Sequence, residues 1–123
     1  MKSKVILKIL IIDDEVVTLN LTKQGLEKLG YEVEIFSMAT KALSYIGDHH
    51  KEIDLIISDK SMPFMGGLEL LKEVRKIDPI LPVYILTGYS SQEDDQEFLK
   101  AGVTKILTKP ISLKELQKEI DMD

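Results

Sequence analysis

The sequence contains no cysteine, which excludes disulfide bonds, thiolate metal sites and cysteine nucleophiles. This absence is typical of proteins in a reducing compartment and favours the cytoplasm. No apolar stretch approaches the roughly 20 residues that a helix needs to cross a bilayer. The N-terminal segment has a basic start and an apolar run, but Lys8 interrupts that run and three acids follow it. We therefore expect neither a secretory signal nor a membrane partner.

Positively charged residues are fewer than negatively charged ones. The chain has 16 Lys and Arg residues against 21 Asp and Glu residues, which leaves a net charge of −5. The summed field of such a chain repels the phosphate backbone that dominates nucleic-acid affinity. We therefore do not expect direct binding to nucleic acid.

The composition that is present is typical of one globular domain. A chain of 123 residues can form one hydrophobic core but is too short for two domains. It is 44% hydrophobic and 30% charged, and it contains no repeat, linker or low-complexity segment. We predict a single folded domain over residues 1–123.

Strand patterns and helix patterns alternate along the chain. Residues 5–12 are almost wholly apolar and β-branched, which predicts a strand buried on both faces. Residues 16–29 have apolar residues at helical spacing, and Gly30 predicts the end of that helix. Four more strand and helix pairs follow, at 32–36 with 40–46, 53–58 with 68–77, 83–87 with 92–101, and 105–108 with 113–120. This alternation predicts an α/β fold with a doubly wound parallel sheet and helices on both faces.

Acidic, hydroxyl and basic residues stand at the ends of the predicted strands. These residues are Asp13 and Asp14 after the first strand, Asp59 after the third, Thr87 at the fourth and Lys109 beyond the fifth. All five should meet at one edge of a parallel sheet. Three carboxylates at one place repel one another unless a cation lies between them. Oxygen ligands without histidine or cysteine favour a hard ion, and we predict Mg²⁺.

This residue set has the parts that phosphoryl transfer needs. A carboxylate such as Asp59 can attack phosphorus, and Mg²⁺ with the ammonium of Lys109 can neutralise charge on the phosphoryl oxygens. The hydroxyl of Thr87 can donate a hydrogen bond to the attached group, and Gly88 beside it leaves room. We predict phosphate transfer followed by phosphate sensing.

Five motifs in order identify a family. They are Asp13-Asp14 after an apolar strand, D-K-S-M-P-F-M-G-G from Asp59, Leu86-Thr87-Gly88, Ala101-Gly102 and Lys109-Pro110. The second motif is similar to the D-x-x-M-P-x-M-x-G of receiver domains in two-component response regulators. The chain resembles that family over essentially its full length.

The resemblance implies a flavodoxin-like sheet with strand order 2-1-3-4-5, which periodicity alone does not distinguish from other α/β orders. It implies that Asp59 is phosphorylated by a histidine kinase or a histidine phosphotransfer protein. It implies a Mg²⁺ site formed by Asp13, Asp14, Asp59 and the backbone carbonyl of Ser61. It also implies that Lys109 pairs with the phosphoryl group, and that the peptide bond before Pro110 is cis.

Two positions depart from the family pattern. Ile106 stands where receivers usually carry Tyr or Phe, three residues before the lysine, and Ile111 stands where they often carry Phe. The expected chemistry is retained, but the usual aromatic readout is lost. The output is left open, because it depends on whether an effector domain follows Asp123 or a separate protein target binds this chain.

Three other functions fit the sequence less well. Haloacid dehalogenase phosphohydrolases resemble D-x-D-x-[TV], which Asp13-Asp14-Glu15 does not match, and they need cap insertions. A flavodoxin-like cofactor carrier needs a first loop rich in Ser, Thr and Gly, where this chain has three acids. A pseudo-receiver that binds partners without phosphorylation does not need the complete acid, threonine and lysine set. We expect a signalling switch with its own autophosphorylation and autodephosphorylation chemistry, rather than a conventional enzyme.

Some conspicuous residues have simpler interpretations. We interpret His49-His50 as part of a solvated loop and not as metal ligands. Met62 and Met65 are expected to pack beneath the site. The acidic run from Glu93 to Asp95 is expected to form a first helical turn that suits the helix dipole.

Overall fold

A computed structural model of the chain describes residues 6, 8–89 and 91–122. Its strands are β1 (Lys8–Ile12), β2 (Glu32–Phe36), β3 (Leu55–Asp59), β4 (Val83–Thr87) and β5 (Lys105–Thr108). Its α-helices are α1 (Val16–Lys28), α2 (Ala39–His49), α3 (Gly67–Ile77), α4 (Gln92–Lys100) and α5 (Leu113–Asp121), with a short 3₁₀ helix at His50–Glu52. No helix in these described ranges is long and apolar enough to cross a membrane.

The five strands form one parallel sheet in the order β2-β1-β3-β4-β5, which confirms the expected fold class and strand order. β1, β3 and β4 lie inside the sheet, where both faces are covered, and nearly all of their residues are buried. The winding reverses between β1 and β3. Ligands of such sheets bind at the carboxyl ends of the strands at this reversal.

Side chains of the strands alternate between two hydrophobic clusters, one on each face of the sheet. Leu10 and Ile12 pack with α2, α3 and α4, whereas Ile9 and Ile11 pack with α1 and α5. This alternation follows from the two-residue period of a strand. Helices therefore pack against both faces of the sheet, and this packing fixes the positions of the strand ends.

Local signals set several helix ends. Ser112 and Glu115 form a reciprocal capping box at the start of α5, and the Ser91 hydroxyl accepts a hydrogen bond from the Asp94 amide at the start of α4. Gly30 after α1 and Gly102 after α4 have positive φ values of 100° and 92°. A glycine adopts this conformation without the steric cost that other residues meet there.

The structure differs from the sequence prediction at some boundaries. α2 runs to His49 rather than residue 46, and His50 begins the 3₁₀ helix, so the interpretation of His49-His50 as a loop is wrong. The His49 ring stacks on Tyr45 with centroids 4.4 Å apart, and its Nδ1 lies 2.8 Å from Glu52 Oε2. The predicted first strand starts at Val5 and the predicted domain ends at Asp123, and both residues lie outside the described ones.

Candidate functional site

Three carboxylates meet at the carboxyl edge of the sheet. Asp13 and Asp14 follow β1 directly, and Asp59 is the last residue of the neighbouring strand β3. One carboxylate oxygen from each of these residues lies within 4.8 Å of the other two. Asp13 and Asp59 are 5% and 9% exposed, whereas Asp14 is exposed to solvent. The donor set consists of oxygen atoms with an open side, which suits a hard cation that keeps some of its water.

Asp13 is held rigidly and at an electrostatic cost. Its Oδ1 accepts a hydrogen bond of 3.0 Å from the Glu15 amide. Burial raises the pKa of Asp13, and the Glu15 amide and the charge of Lys109 offset that effect only in part. The net rise means that the folded chain disfavours the charged form of Asp13. A cation between the carboxylates would relieve this cost.

Lys109 reaches the same carboxylates from beyond β5. Its Nζ lies 2.8 Å from Asp59 Oδ1 and 4.0 Å from Asp13 Oδ2. Burial lowers the pKa of Lys109, but the hydrogen bond and charge of Asp59 outweigh that effect, so the pKa is raised. The Lys109 amide donates to the Thr87 carbonyl at 2.7 Å, and its peptide bond to Pro110 is cis. The ammonium therefore stays charged beside Asp59.

Thr87 is the last residue of β4, and its hydroxyl is hydrogen-bonded within the loop that follows the strand. The hydroxyl donates to the Tyr89 carbonyl and accepts a hydrogen bond of 3.1 Å from the Tyr89 amide. Thr87 is buried, whereas Tyr89 is 73% exposed. A Cβ atom on Gly88 would meet nothing within 4 Å, so this structure does not require glycine there. The Thr87 hydroxyl must break its hydrogen bonds to Tyr89 before it can donate to a group on Asp59.

The loop after Asp59 is tightly packed against its own strand. Ser61 is exposed in this loop, and Met62 and Met65 pack against the core as predicted. A Cβ atom on Gly67 would lie 2.7 Å from the Asp59 carbonyl oxygen, so only glycine permits this close approach. No sequence pattern predicted this role, although Gly67 is the last glycine of the motif that opens at Asp59.

A second lysine near the site was also missed. Lys60 Nζ lies 2.7 Å from Asp94 Oδ2, which joins the residue after Asp59 to the first turn of α4. The two residues are separated by 34 positions, and no periodic signal links them. The acidic run that includes Asp94 does form the predicted first turn.

Ile106 lies in β5 and is half-buried against the cluster that contains Phe98. Ile111 packs on the opposite face, against the cluster of α1 and α5. Both positions are therefore occupied by branched aliphatic side chains that belong to the core. Neither supplies a ring at the site.

Comparison with known proteins agrees with the fold. A family model described as the response regulator receiver domain matches residues 9–121. A receiver domain protein described as CheY-like, from Methanospirillum hungatei, superposes with a TM-score of 0.89 at 36% sequence identity. That match covers 96% of this chain and 93% of the other chain.

Curated relatives are longer proteins. The transcriptional regulatory protein ZraR of Salmonella typhimurium is 34% identical over 113 residues, which are 92% of this chain and 25% of that protein. The autoinducer 2 sensor kinase/phosphatase LuxQ of Vibrio vulnificus is 33% identical over 115 residues, which are 93% of this chain and 13% of that protein. The chain thus spans a quarter or less of the length of these relatives.

Proposed function

Because the chain belongs to the response regulator receiver domain family of two-component systems, we propose that it is a phosphorylation-dependent switch with Asp59 as its phosphoacceptor. In the proposed reaction an oxygen of Asp59 attacks the phosphorus atom of a donor. The bond between phosphorus and the donor's leaving nitrogen or oxygen breaks, and its electron pair stays with the donor. The product is an acyl phosphate on Asp59.

One observation carries this proposal: the ammonium of Lys109 lies 2.8 Å from Asp59, which is one of three carboxylates that meet at the sheet edge. A carboxylate used as a nucleophile toward a charged phosphoryl group needs cationic neighbours to offset the repulsion. Lys109 supplies one positive charge in a fixed position. The close approach of Asp13, Asp14 and Asp59 favours binding of a second cation.

We assign that second cation to Mg²⁺, held by Asp13, Asp14, Asp59 and the backbone carbonyl of Ser61. When bound, it would neutralise charge on the phosphoryl oxygens. Lys109 would pair with another of these oxygens. Thr87 would release the backbone of Tyr89 and donate its hydroxyl to the phosphoryl group, and Gly88 beside it would leave room.

The partners follow from the family. Receiver domains interact with histidine kinases, so we propose a histidine kinase or a histidine phosphotransfer protein as the donor. The output would be a fused effector domain, as the name of the regulatory relative suggests, or a separate protein target. We propose the cytoplasm as the location, which agrees with the absence of cysteine.

Intact-mass measurement tests the proposal. With acetyl phosphate and Mg²⁺, the wild-type chain should gain the mass of one phosphoryl group, and removing Mg²⁺ with a chelator should abolish the gain. Asp59→Asn should gain nothing, whereas Asp48→Asn, which changes an exposed acid in α2, should match the wild type. Full labelling of Asp59→Asn would overturn the assignment.

A further inference from the structure

Helix α4 is held to the domain by few apolar contacts. Phe98 is its buried side chain, and it lies in the second half of the helix. The first turn is polar and carries Glu93 and Asp94. Segments with few buried apolar contacts open and move more easily than the core. The position of the first turn therefore depends on polar contacts.

One of these contacts is the ion pair from Lys60 to Asp94. Lys60 Nζ and Asp94 Oδ2 are 2.7 Å apart, and the two side chains are 22% and 45% exposed. Lys60 also lines a crevice between α3 and α4 together with Glu69 and Glu97. Lys60 thus shares this crevice with acidic residues of α3 and α4, and its ammonium binds Asp94 in the first turn of α4.

The backbone of Lys60 is fixed at the end of β3. Its amide donates to the Leu86 carbonyl at 2.8 Å, and its carbonyl accepts from the Gly67 amide at 2.8 Å. In the chain, Lys60 stands between Asp59 and Ser61. It therefore lies between the proposed phosphoacceptor and the proposed carbonyl ligand.

We propose that Lys60 is a positioning residue that couples the state of Asp59 to α4. Its pair with Asp94 holds the first turn of α4 in place while Asp59 is unmodified. A phosphoryl group on Asp59 adds negative charge next to Lys60, which competes with Asp94 for the ammonium and weakens the pair. This inference rests on the proposed function, and it gives the chain a route to α4 that needs no aromatic ring at Ile106.

Thermodynamic reciprocity makes the coupling measurable. If the pair favours the unmodified state, it must oppose binding of a phosphoryl mimic by the same factor. We expect Asp94→Asn to bind beryllofluoride with Mg²⁺ about two- to threefold more tightly than the wild type, the range that a partly exposed ion pair supports. In the absence of the mimic, its amide NMR shifts at residues 92–95 should move toward the wild-type positions with beryllofluoride bound.

Three controls separate the pair from a general effect of charge. Glu93→Gln removes the same charge from the same turn of α4 at an exposed residue, and it should leave the affinity nearly unchanged. In a Lys60→Met background, Asp94→Asn should have no further effect, because the pair is already broken. Lys76→Met breaks a comparable pair with Glu73 on α3 and should also be neutral.

The outcomes are distinct. An equal effect of Asp94→Asn with and without Lys60, or an equal effect of Glu93→Gln, would overturn the coupling through Lys60. So would unchanged affinity of Asp94→Asn when the wild type binds the mimic. A wild-type chain that takes up no beryllofluoride would overturn the proposed function itself.

Discussion

The position of Asp13 opposes the stability of the fold. It is 5% exposed, and burial raises its pKa above the ordinary value of 3.8. A group whose pKa is raised on folding is destabilising when charged, at pH values above its folded pKa. This cost disappears as the pH falls below 3.8, because Asp13 is then protonated in the folded and the unfolded chain.

Asp13→Asn should therefore stabilise the metal-free chain by about 1 kcal/mol at pH 7, and the advantage should vanish in acid. The amide oxygen can still accept the hydrogen bond from the Glu15 amide. Urea unfolding with and without Mg²⁺ would measure both effects, because Mg²⁺ should stabilise the wild type more than the variant. A variant that loses stability yet keeps the full gain from Mg²⁺ would show that Asp13 is a structural cap.

Phe64 carries a backbone cost in the loop after Asp59. Its φ is 70°, in the left-handed region, and its side chain is 88% exposed. That conformation costs a residue with a Cβ about 1–2 kcal/mol, and glycine avoids this cost but loses more entropy on folding. Phe64→Gly should raise the free energy of unfolding by about 0.5–1 kcal/mol.

Ile80→Gly is the matched comparison, because Ile80 is 86% exposed and is not among the described residues with positive φ. It should lose about 0.5–1 kcal/mol, since there glycine brings only its entropic cost. Chemical denaturation of both variants would decide the point. Equal losses in the two variants would mean that Phe64 is not strained.

At the scale of elements, the loop between β4 and α4 is the segment most directly tied to the site. The Thr87 hydroxyl binds the amide and the carbonyl of Tyr89, so a turn of Thr87 toward Asp59 must release that loop. Ile106 in β5 is β-branched and stiff at χ1, so it cannot sweep the volume that a ring would. We therefore expect any rearrangement to concentrate in the loop between β4 and α4 and in the first turn of α4.

Backbone NMR with beryllofluoride and Mg²⁺ would test this expectation. Amide shifts should change more at residues 88–93 than at residues 105–107. The opposite ranking would mean that β5 reports the state of Asp59 even though it has no aromatic residue at position 106. The comparison is internal to one sample, so differences in occupancy of the mimic do not affect it.

Helices and strands could be predicted where apolar residues repeat at a regular spacing. Their ends were harder to predict where other contacts lengthen the element. Ala39, Ala42 and Ile46 give α2 its buried face, and the periodic signal ends at Ile46. The last turn of α2 is held by the Tyr45–His49 ring stack and the pair of His49 with Glu52. These contacts join aromatic and charged side chains, so they do not extend the apolar pattern from which the helix was predicted.

At the scale of the whole molecule, the topology explains why the site could be predicted at all. Parallel strands bring their carboxyl ends to one edge, so residues as distant as Asp13, Asp59 and Lys109 had to meet once the strands were identified. The pair between Lys60 and Asp94 had no such rule behind it, because it depends on how α4 is oriented over the loop. The sheet determines which side chains meet at its edge, and the placement of α4 determines the contact between Lys60 and Asp94.

Localising the phosphoryl group is the most direct test of this account. After reaction with acetyl phosphate and Mg²⁺, borohydride reduction converts an aspartyl phosphate to homoserine, which peptide mass spectrometry locates. We predict reduction at position 59 and at no other acid, with none in a sample prepared without Mg²⁺. Reduction at position 13 or 14, or none at any position with several phosphodonors, would contradict the account.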